Sequence, residues 1–226
     1  MSEQTQQPTE KIYYDPISIA QRTKQKLHLV DNSDKAAMLA HIVKSNKDMH
    51  TVVIVKTKRS ADALSSYLAK QDITATAVHG SKRAEENETI VKSFNQGELS
   101  VMLTTDMILQ SLELNDITHI ISYDLPTEPE YYLSRMACLK EQGESIAFVS
   151  EDQAIELLDI ERVMRHQIDE EEVVGFVAVS ESETIETPKR IKDQKKKPRH
   201  RKQKRKVTNK ETDTVPSKNE HIDNQV

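Results

Sequence analysis

Glycine is scarce in this chain: four in 226 residues, at Gly80, Gly97, Gly143 and Gly175, and the closest two stand 17 positions apart. A loop that wraps phosphates with backbone N–H groups needs glycines a few positions from one another, and neither GxxxxGKS/T nor GxGxxG occurs. Nucleotide hydrolysis by such a loop is therefore excluded for these residues. Cysteine is scarcer still. The single Cys138 rules out an intrachain disulfide and a multi-cysteine zinc site, and it reads as a small, half-buried side chain. Tryptophan is absent and phenylalanine occurs three times, so the core must be mostly aliphatic. The eight histidines are dispersed without metal-ligand spacing, and no metal site is expected. No apolar run approaches the roughly 20 residues of a membrane span, and Met1–Glu10 is polar with no apolar h-region. The expectation is a cytoplasmic protein with no membrane partner.

Acidic residues outnumber basic ones, but not evenly. Residues 1–188 carry 18 Lys+Arg against 32 Asp+Glu, a balance of −14; residues 189–226 carry 14 against 5, a balance of +9. An acidic body repels phosphate backbones in general and a basic tail attracts them.

Along the chain, residues 1–20 are polar and read as a flexible N-terminal arm. Lys26–Asp31 alternates as a strand, and Ser33 is placed to cap a helix presenting Leu39, Ile42 and Val43 on one face. Thr51–Thr57 is a β-branched run of the kind buried on both faces. Helices follow at Ser60–Lys70, with Leu64, Tyr67 and Leu68 inward, and at Arg83–Asn95, with Ile90, Val91 and Phe94 inward and Gly97 as left-handed cap. Ile73–Val78, Ser100–Thr105, Ile117–Tyr123 and Ser145–Ser150 read as strands. Glu151–Gln167 reads as a helix with a stripe of Leu157, Ile160, Val163 and Met164, and with acids early and bases late, as the dipole favours. Strands alternating with helices of this length imply an α/β domain with a mainly parallel sheet covered on both faces. The expected organisation is that arm, a domain over 21–178, an acidic linker at 179–188, and a basic tail at 189–226 too polar to build a core.

From about Ile12 to Phe176 the chain resembles the C-terminal, second RecA-like domain of bacterial DEAD-box RNA helicases. TVVIVKTK at Thr51–Lys58 looks like motif IV, and AVHG at Ala77–Gly80 with Phe94 fifteen residues after His79 looks like the HG block. LTTDMILQSLEL at Leu103–Leu114 resembles motif V, usually ATDxxARGLDI. ISYDLP at Ile121–Pro126 resembles INYDLP, and EYYLSRMACLKEQGES at Glu130–Ser145 stands where motif VI, HRxGRxxR, is found. The resemblance implies a three-layer RecA-like fold.

The departures are functional. The HG block's RNA-contacting Gln and Arg are Ala84 and Asn87 here, and motif V's Arg-Gly is Gln110-Ser111. Glu113 stands for the Asp that touches the nucleotide ribose. In motif VI the His is Ser134, the first Arg survives as Arg135, and the two finger arginines are Cys138 and Glu141. A finger arginine contributes about 10³–10⁵ in rate, so the resemblance implies no effective hydrolysis. No cofactor is required, and ATP binding is expected to be weak or absent, with Glu113 and Arg135 as nucleotide-site remnants. The family's first RecA-like half, with its phosphate loop and Asp-Glu-Ala-Asp box, has no counterpart in these residues. Thr57, His79, Gly80, Thr105 and Asp106 resemble RNA-facing family residues, although loop closure or strand-end hydrogen bonding is an equally good reading of each.

Lys189–Lys206 holds twelve Lys/Arg and one acid, Asp193. RNA is the expected partner, bound chiefly by Lys195, Lys196, Lys197, Arg199, Arg201, Lys202, Lys204, Arg205 and Lys206 through phosphate neutralisation. No aromatic residue is there to stack bases. The expected function is a non-catalytic RNA-binding or accessory module. Two alternatives compete: a helicase half completed by a partner chain that supplies the first domain, and a protein-interaction module that binds through the former inter-domain face.

Overall fold

The computed structural model describes residues 15–46, 48–139 and 143–178. Seven strands form one sheet: β1 (Lys24–Leu29), β2 (Thr51–Ile54), β3 (Ala75–Ala77), β4 (Val101–Thr104), β5 (His119–Ser122), β6 (Glu144–Val149) and β7 (Asp169–Glu170). Their order is β3-β4-β2-β5-β6-β1-β7, and every pairing is parallel. Helices α1 (Pro16–Arg22), α2 (Lys35–Ser45), α3 (Lys58–Lys70), α4 (Ala84–Asn95), α5 (Asp106–Leu109), α6 (Pro129–Ala137) and α7 (Ala154–Met164) connect them. This is the expected α/β architecture, three layers of the RecA-like kind.

Central strands surrounded on both faces must be apolar at every position, and β2 and β4 are buried throughout. Alternate residues feed opposite layers. Val53, Leu103, Ile121, Ile146 and Phe148 join Leu39, Leu64 and Leu68 under α2 and α3. Val52, Ile54, Met102 and Ile120 meet Phe94 of α4 on the other face. Further along that face, Leu27, Ala147 and Val149 pack on Ile19, Tyr132, Met136, Ile160 and Met164. Gly97 adopts φ 77°, the left-handed cap expected of it.

Four local expectations change. Residues 16–20 belong to α1 rather than to an arm: Asp15 accepts from the Ser18 N–H at 3.2 Å, Pro16 opens the helix, and Ile19 and Ala20 are buried. Seven residues are too few to display a helical period. The cap of α2 is Asp34, not Ser33. Val163 is 37% exposed, because α7 turns Ile160 and Met164 to the sheet. The segment Glu151–Gln167 is a 3₁₀ turn at Glu151–Gln153 followed by an α-helix that ends at Met164, with Arg165 left-handed at φ 53°.

Lys35, the first residue of α2, is 1% exposed. Its ammonium donates to the Tyr123 carbonyl at 3.2 Å and to Gln153 Oε1 at 2.5 Å, joining the ends of β5 and β6 to α2. Desolvation holds its pKa below the usual lysine value despite the nearby Asp124 and Asp152. Nothing in the sequence pattern marked it.

Candidate nucleic-acid interface

In an all-parallel sheet the loops following the strands gather at one edge, which is where such folds place their ligands. Five basic residues stand there: Lys56 in the loop after β2, Lys58 and Arg59 opening α3, and Lys82 and Arg83 between β3 and α4. Lys58 Nζ donates to Ser81 Oγ at 2.5 Å, bridging the two segments. This is a basic corner on an acidic body. Glu85, Glu86 and Glu88 of α4 flank it, and Lys82 pairs with Glu86 at 3.2 Å.

Three residues singled out from the sequence lie in this corner. Thr57 is exposed and caps α3, its Oγ1 accepting from the Ser60 N–H at 3.1 Å. His79 is buried, and its Nε2–H donates to Asp62 Oδ1 at 2.9 Å, while Nδ1 is left without a partner. Gly80 follows in the same loop. Asn87, at the family's Arg position, is turned inward and donates from Nδ2 to the His79 carbonyl at 3.1 Å; Ala84 is exposed. These bonds close the loop on α3 and α4.

Thr105 and Asp106 follow β4 and open α5. Asp106 and Arg135 face each other as a bidentate pair, Nε to Oδ1 at 2.6 Å and Nη2 to Oδ2 at 2.7 Å. Arg135 Nη1 also donates to the Asp124 carbonyl at 2.9 Å. The guanidinium is 1% exposed and the Asp106 carboxylate 21%. The pair therefore fixes α6 to the ends of β4 and β5, and both members are engaged inside the domain. Beside them, Lys56, Asp124, Leu125 and Tyr131 help line a shallow pocket of about 190 Å³.

The residues at the family's nucleotide positions lie elsewhere. Cys138 caps the C-terminus of α6, half-buried, with Sγ donating to the Ser134 carbonyl at 3.4 Å, and burial raises its pKa. It packs with Leu139 beneath α4 and the 110–118 connection. Glu113 is exposed in that connection, and its carbonyl accepts from Asn95 Nδ2 at 2.9 Å. Glu141 and the tail residues Lys195–Lys206 lie outside the described residues. Sequence reading missed the basic corner. The signal was present in KTKR and SKR, two short runs directly after strands, but the net charge of the body hid it.

Residues 34–138 match the family described as the helicase conserved C-terminal domain. The fold is RecA-like, and residues 34–138 are similar to helicase C-terminal domains. Among solved structures, a DEAD box protein from Methanococcus jannaschii is 27% identical with a TM-score of 0.63, over 68% of this chain and 43% of that one. Escherichia coli SrmB, solved bound to RraA, is 20% identical with a TM-score of 0.63, over 70% and 98%. Saccharomyces cerevisiae Dbp5, solved bound to RNA and ADP BeF3, is 20% identical with a TM-score of 0.60, over 71% and 42%. The chain thus spans less than half the length of the Methanococcus and Dbp5 chains. No described helix is long and apolar enough to cross a membrane.

Proposed function

We propose that this chain is a non-catalytic RNA-binding module built on a DEAD-box-type C-terminal domain, and that it works without nucleotide turnover. The observation that carries the reading is in α6. Its one guanidinium, Arg135, is engaged by Asp106 and Asp124, and the next finger position is a half-buried thiol, Cys138. No described residue of α6 is left to place positive charge on a transferring phosphoryl group, which a finger must do. Glu141 would add negative charge at the other finger position.

RNA affinity then comes from basic residues alone. The nine tail residues Lys195, Lys196, Lys197, Arg199, Arg201, Lys202, Lys204, Arg205 and Lys206 supply most of it, and Lys56, Lys58, Arg59 and Arg83 supply a fixed corner that orients the strand. Thr57, His79, Gly80, Thr105 and Asp106 shape that edge rather than read bases. Dbp5 bound to RNA gives the precedent for an RNA partner, and SrmB bound to RraA gives one for a protein partner. A cytoplasmic setting belongs to the same proposal.

The test is steady-state ATPase activity of the purified chain with single-stranded RNA, alongside RNA binding by fluorescence anisotropy. Binding without turnover is expected. RNA-stimulated turnover that persists through repeated purification would overturn the reading in favour of a helicase half.

A further inference from the structure

The edge that carries the basic corner at its β3-β4-β2 end is acidic at its other end. Beyond β6 and β1, a groove of about 540 Å³ runs between the ends of those strands and residues 170–178. Its floor is apolar, formed by Met38, Val149, Phe176 and Leu29, the last 57% exposed. Its rim carries the exposed carboxylates of Asp31, Glu151, Glu170, Glu171 and Glu172. No lysine or arginine lines it. The lining His28 is buried, its Nδ1–H donating to the Glu171 carbonyl at 2.5 Å. Among neighbouring cations, Lys26 reaches Glu171 at 3.7 Å from below and is shared with Glu144, while the Lys35 ammonium is held by Tyr123 and Gln153.

We propose that this groove docks a basic, partly apolar peptide of a partner protein, whose aliphatic side chains enter the floor while its Lys or Arg residues meet the rim. Five exposed carboxylates around an apolar trough repel one another, and an exposed Leu29 costs hydration; a ligand with both features relieves both. The same rim repels RNA, so the two ends of one edge take two classes of partner. The chain's own tail is the rival occupant on charge, but its basic stretch 189–207 offers only two aliphatic side chains, Ile191 and Val207, 16 positions apart, rather than a run that alternates with the basic residues.

The test uses the full chain and three fluorescein-labelled synthetic peptides in anisotropy titrations. One alternates Lys/Arg with Leu/Val, one has the same charges with Ser in place of Leu/Val, and one has the sequence of residues 189–207. The first should bind at least about ten-fold tighter than the other two. Glu170→Lys with Glu172→Lys, and separately Leu29→Ser, should each weaken it about ten-fold. Glu85→Lys with Glu88→Lys on α4 should change it less than about two-fold, and circular dichroism reports that each variant is folded. Equal binding of the Leu/Val and Ser peptides, or equal loss in the α4 variant, would reduce the effect to general charge attraction and overturn the proposal. Tightest binding of the 189–207 peptide would overturn it in favour of the tail.

Discussion

Breaking the Asp106–Arg135 pair should destabilise the domain more than any other single polar change among the described residues. The guanidinium is 1% exposed and makes three hydrogen bonds, two to one carboxylate and one to the Asp124 carbonyl. Removing one partner of a buried pair typically costs about 3–5 kcal/mol, because the other charge is left uncompensated. Asp106 is 21% exposed, so water re-enters on its side of the pair and the lower end applies. Asp106→Asn, which strands the buried cation, should therefore cost about 3 kcal/mol, and Arg135→Met about 2, since the carboxylate can rehydrate. The double variant Asp106→Leu/Arg135→Met should lie within about 1 kcal/mol of wild type, and with the single variants Asp106→Leu and Arg135→Met it closes a cycle with a coupling above about 2 kcal/mol. Urea unfolding followed by far-ultraviolet circular dichroism measures this. At an m-value of about 2 kcal/mol/M, the single variants should lower the midpoint by about 1–1.5 M. Single-variant losses below about 0.5 kcal/mol, the surface-pair range, would refute the reasoning and return Arg135 to the role of a group held available for a ligand.

Three further outcomes are expected. Thr57→Ala should lose about 1 kcal/mol through the α3 cap while Thr57→Ser retains most of it, measured by thermal unfolding; no loss would show that Thr57 is kept for ligand contact alone. Burial depresses the Lys35 pKa below the usual lysine value of 10.5. The unfolded chain therefore binds the proton more tightly, and the contribution of Lys35 to stability rises with pH through the window below 10.5. The stability of wild type relative to Lys35→Met should accordingly increase between mildly and strongly alkaline pH, and a flat or falling difference would contradict the burial argument. Cys138→Arg alone should leave ATP hydrolysis at baseline, because one finger without a phosphate loop has no γ-phosphate positioned to stabilise; a clear gain in phosphate release would say otherwise.

The sheet was legible because central parallel strands such as Thr51–Ile54 are apolar on both faces and carry that burial in composition alone. Short elements were not: α1 is seven residues long and β7 two, so neither displays a period. The site was legible as a set of loops but not as chemistry. Lys58 and Ser81 meet across 23 positions and Asp106 and Arg135 across 29, and only the parallel topology brings them together. The resemblance gives Arg135 as a nucleotide-site remnant, and only the fold supplies Asp106 as its partner. The acidic groove escaped because it is assembled from residues far apart in sequence, 28–38, 149–151 and 170–178.

Fluorescence anisotropy of labelled single-stranded RNA across a salt series, with and without ATP and Mg²⁺, tests the central reading most directly. With about five to eight phosphates neutralised, log K should fall against log salt with a slope of about −3.5 to −6, unchanged by ATP. Changing Lys195, Lys196, Lys197, Arg199, Arg201, Lys202, Lys204, Arg205 and Lys206 to Gln should remove most of that slope. What then remains should fall further with Lys58→Gln and Arg59→Gln. Salt-insensitive binding that survives the tail substitutions, or an affinity that ATP shifts by about ten-fold or more, would contradict a nucleotide-independent RNA-binding module.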